Sequence, residues 1–143
     1  ILEQKLKDNK VNLNNIKLNR INANRVIRFG DVSVSFFNTT HSIPESVGIA
    51  INTQDGTIVY CTDFNFSSLP NGVYQTTYDK ITDLGKRKVL ALLSESLSAG
   101  LIGRIPNDSL LEHNFNHILV KNKKRVFVGA YSTDLIRIQK IIE

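Results

Sequence analysis

His41 and Asp63 are the two residues of this 143-residue chain whose types and spacing best suit a metal ion. An imidazole nitrogen and a carboxylate oxygen are ordinary zinc ligands. A hairpin would bring them together. Residues 47–53 and 57–62 read as strands, and Asp55-Gly56 between them suits a two-residue turn with positive φ at both central positions. With Gln54 paired to Thr57, the register puts Asp63 opposite Gly48, so the carboxylate returns to the sheet end that the His41 loop leaves. Two ligands do not make a zinc site, which takes about four in a structural role and at least three from protein in a catalytic one.

The other chemical candidates are weaker. Glu112-His113 with His117 sets two imidazoles one helical turn apart, but the order is not that of the zincin proteases and no third ligand is evident. A solvated helix face is the favoured reading there. Ser94-Glu95-Ser96 is a polar cluster at the end of an apolar run, without the Gly-x-Ser-x-Gly elbow of a serine hydrolase. Gly100 and Gly103 are not followed by the Gly-Lys-Ser/Thr of a phosphate loop, and no dinucleotide fingerprint occurs.

These residues must be positioned by a mixed set of elements. A helix is expected over 1–9, short strands over 16–18 and 25–29, and a strand over 32–37 entered through Gly30-Asp31. Pro44 keeps the His41 segment from becoming helical. Residues 64–72 are irregular, and 77–86 form a helix with Tyr78, Ile81 and Leu84 on one side. Val89 to Leu93 is a continuous apolar run, as in a strand covered on both faces. Ser109 caps a helix running to about Asn122, with Glu112 completing a capping box. Val126 to Tyr131 reads as another buried strand, and Thr133 or Asp134 caps a last helix. The first half is mostly antiparallel, while strands and helices alternate in the second. The fold class is α/β.

Composition sets the frame. A 41% apolar share supports a real core, and 22% charged residues excludes a disordered chain. No window approaches the roughly 18 apolar residues of a membrane span, and the opening Ile1-Leu2-Glu3-Gln4-Lys5 is not a secretory signal. Without any Met, the chain is expected to be a segment of a longer protein. Cys61 is the single cysteine, which excludes an internal disulfide and a multi-thiolate zinc site, and suits a small buried side chain in a reducing cytoplasm. The net charge of +5 would favour a polyanionic partner. However, Lys86-Arg87-Lys88 and the run from Lys121 to Arg125 sit at helix ends, where cations also complement the helix dipole.

The residues from Phe36 to Gly48, centred on His41-Ser42-Ile43-Pro44-Glu45-Ser46, resemble the His-Ser-Ile-Pro-Asp/Glu-Ser segment of the ribonuclease J family. Ile58 to Phe66 resembles that family's strand ending Gly-Asp-Phe-Lys-Phe, and Leu92-Leu93-Ser94-Glu95-Ser96 its acidic motif after the next strand. Val126 to Ile142 is similar to a later strand and helix. The family belongs to the metallo-β-lactamase superfamily and carries a β-CASP insertion.

The resemblance implies part of a metallo-β-lactamase-like αββα sandwich over 1–98 and the beginning of a β-CASP domain over 99–143. It implies a cytoplasmic, two-zinc hydrolase that matures or degrades RNA, with His41 ligating one zinc, Asp63 bridging both, and Glu95 as the acidic residue supporting catalysis. Two such ions, about 4 Å apart, activate a water for in-line attack on a phosphodiester. RNA is the implied partner, together with homo- or hetero-oligomerisation among similar subunits. The family's His-x-His-x-Asp-His is expected ahead of Ile1 and its closing His motifs beyond Glu143.

The sequence departs from the family at several positions. Thr62 replaces the Gly before the Asp, Asn65 the Lys two residues after it, Ser67 the next Asp, Leu97 a Thr, and Ile136 a His. Two other readings therefore stand beside the first. One is a non-catalytic subunit of the same fold, binding RNA or an active partner. The other is a hydrolase of small esters or thioesters, against which the acidic cluster and the continuation into a β-CASP-like element argue.

Overall fold

A two-residue hairpin starts the sheet. In the computed structural model, which describes residues 2–61, 63–66, 72–97, 99–103 and 108–142, β1 (Val26–Phe29) turns through Gly30-Asp31 into β2 (Val32–Asn38) with Phe29 opposite Val32. Gly30 has φ +59°, at the first central position, where such turns take glycine without steric cost. β3 (Val47–Asn52) and β4 (Thr57–Cys61) continue the antiparallel run. β5 (Val89–Ser94) then pairs parallel to β4, giving the order β1-β2-β3-β4-β5. A parallel partner needs a long crossover, here the segment that contains α2 (Tyr78–Gly85). Three further helices are described: α1 (Leu2–Asp8), α3 (Asp108–Lys121) and α4 (Leu135–Ile142).

Side-chain alternation decides what the sheet buries. Phe37, Ala50 and Val59 form the core with Leu84 of α2, and Cys61 and Ile81 pack against them. Ala50 lies opposite both Ser35 and Val59, while Phe37 lies opposite Gly48, so all share one face. The ring of Phe37 occupies the space that a side chain at Gly48 would take.

Several sequence expectations are corrected. The β3–β4 turn has four residues rather than two, because Asn52, not Gln54, pairs with Thr57. Asp55 is not at positive φ. Thr53 supplies the closure instead: its N–H and its hydroxyl both donate to the carbonyl of Gly56, at 2.9 and 2.8 Å. Gly56, at φ +151°, lies so close to the next strand that a Cβ would come within 2.7 Å of the Lys88 carbonyl oxygen. A two-residue change of register keeps every side chain on its expected face. It does remove Asp63 from its expected place opposite Gly48.

The helix expected to be capped by Ser109 already includes that residue and starts at Asp108. No strand forms over 16–18, where a short 3-10 turn at Leu13–Asn15 precedes extended chain. Residues 126–131 also form no strand, and Phe127 is 91% exposed. Their β-forming composition has no described strand to pair with, and strand propensity expresses packing against neighbours more than a backbone preference. β5 is a strand as expected but is not covered: it is the sheet's edge, and Leu92 is 65% exposed. An open apolar edge of this kind invites pairing with another strand. The expected turn chemistry around Ser67 lies outside the described residues.

Candidate functional site

The His41 loop is tied down on three sides by bonds that do not use the imidazole. Thr39 N–H donates to the Ser46 carbonyl at 2.9 Å, closing the loop at its base. Thr40, 1% exposed, donates its N–H to the Thr76 hydroxyl at 2.9 Å, and the two hydroxyls lie 2.8 Å apart. Glu45, in the left-handed region at φ +59°, donates its N–H to the Val73 carbonyl at 2.8 Å. On the third side, Leu135 N–H at the start of α4 donates to the Ser42 carbonyl at 3.1 Å. Asp134 caps that helix, its carboxylate accepting from Arg137 N–H at 3.2 Å and pairing with the guanidinium at 3.3 Å. His41 itself is half-buried, with Nε2 3.2 Å from the Ser42 hydroxyl.

The chain leaving β4 returns to this loop. Asn65 N–H donates to the Thr40 carbonyl at 2.8 Å, an isolated antiparallel bridge next to His41. Asp63 lies just before that bridge, exposed and at φ +55°. Asp is among the few residues that tolerate the left-handed region. Glu95, just past the end of β5, accepts the Phe64 N–H at Oε1, 3.0 Å away. A carboxylate accepting a backbone N–H is a charge-assisted bond and fixes the segment that carries Asp63. His41, Asp63 and Glu95 thus belong to three chain segments joined at one sheet end by the Thr40–Asn65 and Phe64–Glu95 bonds. This bridge, rather than the hairpin register, brings the Asp63 segment next to the His41 loop.

Cys61 lies beside the same end. Burial pushes its thiol up from the usual cysteine range, and the negative charge of Glu95 adds to the rise. Glu95→Gln removes that charge, so the Cys61 thiol is expected to titrate lower. The rate of iodoacetamide alkylation against pH checks this. A profile unmoved by the substitution would leave burial as the whole cause.

His113 and His117 stack with ring centroids 6.5 Å apart on the exposed side of α3. Among the described residues, no group of three or more His, Cys, Asp and Glu side chains is arranged to hold a metal. His41 and Asp63 supply the nitrogen and oxygen donors that zinc accepts, as a partial set to which other residues must contribute. Sequence reasoning missed Thr40, Thr76 and Asn65, which hold the site together. The Thr76 link joins positions 36 residues apart, which no local pattern reveals.

No family model matches the chain. Over 117 residues, or 82% of its length, it is 38% identical to ribonuclease J 2 of Staphylococcus epidermidis, and over the same length 42% identical to ribonuclease J 2 of Streptococcus pyogenes. Ribonuclease J 2 of Staphylococcus aureus is 36% identical over 117 residues. The chain spans about a fifth of these relatives, 21% of each. In structure it is similar to a crystal structure of a protein of unknown function from Enterococcus faecalis V583. The TM-score is 0.67 at 21% identity, covering 88% of this chain and 31% of that one. That likeness bears on the fold alone.

Proposed function

We propose that this chain, homologous to a segment of ribonuclease J 2, is part of a zinc-dependent hydrolase that cleaves RNA phosphodiester bonds. Residues 1–98 form the later part of its metallo-β-lactamase-like sandwich, and 99–143 begin its β-CASP domain. The observation that carries this reading is the joining of the His41, Asp63 and Glu95 segments at one sheet end, on a chain with ribonuclease J homology. No helix among the described residues is long and apolar enough to cross a membrane, and the reading places the protein in the cytoplasm.

In this reading, His41 and Asp63 hold zinc as part of a larger ligand set. When bound, the metal supplies an activated water and stabilises charge developing on the phosphate. The residues of this chain do the positioning. The Thr40–Asn65 bridge keeps the imidazole loop beside the Asp63 segment, and the Thr76 hydroxyl holds Thr40. Glu95 acts through the backbone, fixing Phe64 next to Asp63. Preorganisation of this kind matters because a misplacement of about 1 Å can cost roughly 100-fold in rate.

A second reading has a specific basis. Asn65 and Thr62 depart from the family pattern beside Asp63, as expected of a non-catalytic subunit that binds RNA or an active partner by oligomerising. One experiment separates the possibilities. The full-length protein is stripped with chelator, reloaded with zinc, and assayed on single-stranded RNA and on a small thioester. Zinc-dependent RNA cleavage without thioesterase activity supports the hydrolase. RNA binding without cleavage at any zinc level supports the non-catalytic subunit, and thioester turnover overturns both.

A further inference from the structure

We propose that a cation-lined groove between α2 and the β1–β2 hairpin, outside the His41 loop itself, is an RNA phosphate-binding surface. This rests on the RNA reading above but not on hydrolysis. The groove has a volume of about 310 Å³, and the residues that matter in it are Asn24, Arg25, Ser35, Lys80, Asp83 and Arg87.

Three cations meet there without a described carboxylate partner. The Lys80 ammonium donates to the Ala23 carbonyl, to Asn24 Oδ1 at 2.9 Å and to the Phe36 carbonyl at 3.5 Å. Those oxygens are neutral. They satisfy the three N–H donors of the ammonium but leave its charge uncancelled. Arg25 donates from Nη1 to the Arg20 carbonyl at 2.6 Å, and Arg87 from Nη1 to Asn52 Oδ1 at 3.1 Å. Each guanidinium thereby uses one of about five N–H donors. The carboxylate at the rim, Asp83, is already paired with Lys86 at 3.0 Å. Guanidinium forks match the oxygens of a phosphate group better than a point charge does.

Position gives the groove its role. Arg87 is bonded to Asn52 at the Thr53–Gly56 end of the sheet, whereas Lys80 reaches the Phe36 carbonyl and Arg25 precedes Val26, which pairs with Ser35, so the groove runs along the sheet from Arg87 toward the end where His41 and Glu95 lie. The seven residues of β2 set the Arg87 end and the His41 end roughly 20 Å apart at about 3.3 Å per residue. A strand of RNA engaged at both Arg87 and His41 must therefore exceed about six nucleotides, at roughly 3.4 Å per stacked nucleotide. Shorter RNA cannot engage Arg87 and His41 at once.

The test is fluorescence anisotropy of the full-length protein with a labelled single-stranded 20-nucleotide RNA and with a 4-nucleotide RNA, across a salt series. Arg25→Gln/Arg87→Gln should weaken binding of the 20-mer by about tenfold at low salt. It should also flatten the slope of log K against log salt by about 1.4, since each lost phosphate contact on a single strand contributes about 0.7. The 4-mer, which cannot span from Arg87 to His41, should lose less affinity than the 20-mer, and Arg25→Lys/Arg87→Lys should keep most of the slope. An unchanged slope for the 20-mer in the Gln variant, with an unchanged Tm, overturns the proposal even where the protein cleaves RNA. A flattened slope in a protein that cleaves no RNA keeps the groove and discards the hydrolase.

Discussion

His41→Ala in the full-length protein is expected to lower bound zinc and to abolish RNA hydrolysis while Tm stays within a few degrees. The loop does not depend on the imidazole for its shape. Its anchors are Thr39 to Ser46, Thr40 to Thr76, Glu45 to Val73 and Leu135 to Ser42, all independent of the His41 side chain. The ring's recorded hydrogen bond is to the adjacent Ser42 hydroxyl at 3.2 Å. Removing a half-buried side chain with one local partner is a modest structural loss. Functionally the loss is large. Substituting residues that merely support a metal ligand costs about 10–100-fold in metal affinity or activity, so loss of a ligand should exceed that. Zinc per protein by mass spectrometry and the rate on single-stranded RNA check the two halves. Full activity with full zinc would remove His41 from the site, and loss of both together with a collapsed Tm would make His41 a structural residue.

Gly48→Ala is expected to be the more damaging change for the fold. An added Cβ would lie 2.2 Å from Phe37 Cζ, with two more ring atoms at 2.4 and 2.8 Å. Phe37 is 2% exposed and belongs to the core with Ala50, Val59 and Leu84, so its ring cannot move without disturbing that cluster. Overpacking of this kind costs about 1–3 kcal/mol, and the severity of the overlap points to the upper end. Thermal denaturation of the full-length protein should show Tm lowered by several degrees. Phe37→Leu/Gly48→Ala should be less unstable than the two single effects added together, because the smaller side chain vacates the space. Strict additivity would mean that the ring and the glycine are not coupled.

The His41 loop and the Asp63 segment were legible as a pair, although the route between them was not. Hydrophobic alternation identified β2, β3 and β4, since a period of two needs no long-range information. The turn residues Asp55-Gly56 suggested a tight hairpin, but Thr53 competes for the same backbone groups through its own hydroxyl and lengthens the turn. Such local competition is invisible when turns are read from residue pairs alone. Glu95 was recognised as part of an acidic cluster. Its partner, the Phe64 N–H 31 residues earlier, follows only from the parallel placement of β5 beside β4.

The sequence by itself determined the α/β class, the strands around the candidate site and the homology with ribonuclease J. The class and the strands are properties of residue type and short-range periodicity, and the homology one of motifs in order along the chain. Tertiary structure alone decided which apolar runs are paired. Val89 to Ser94 and 126–131 are similarly apolar, yet the first pairs with β4 and the second pairs with no described strand. A strand exists only where a neighbour accepts its backbone hydrogen bonds, and neighbours are set by the path of the whole chain. The same reason separates Arg87 from the other helix-end cations: its contact with Asn52, across 35 positions, carries it into the groove beside Arg25 and Lys80.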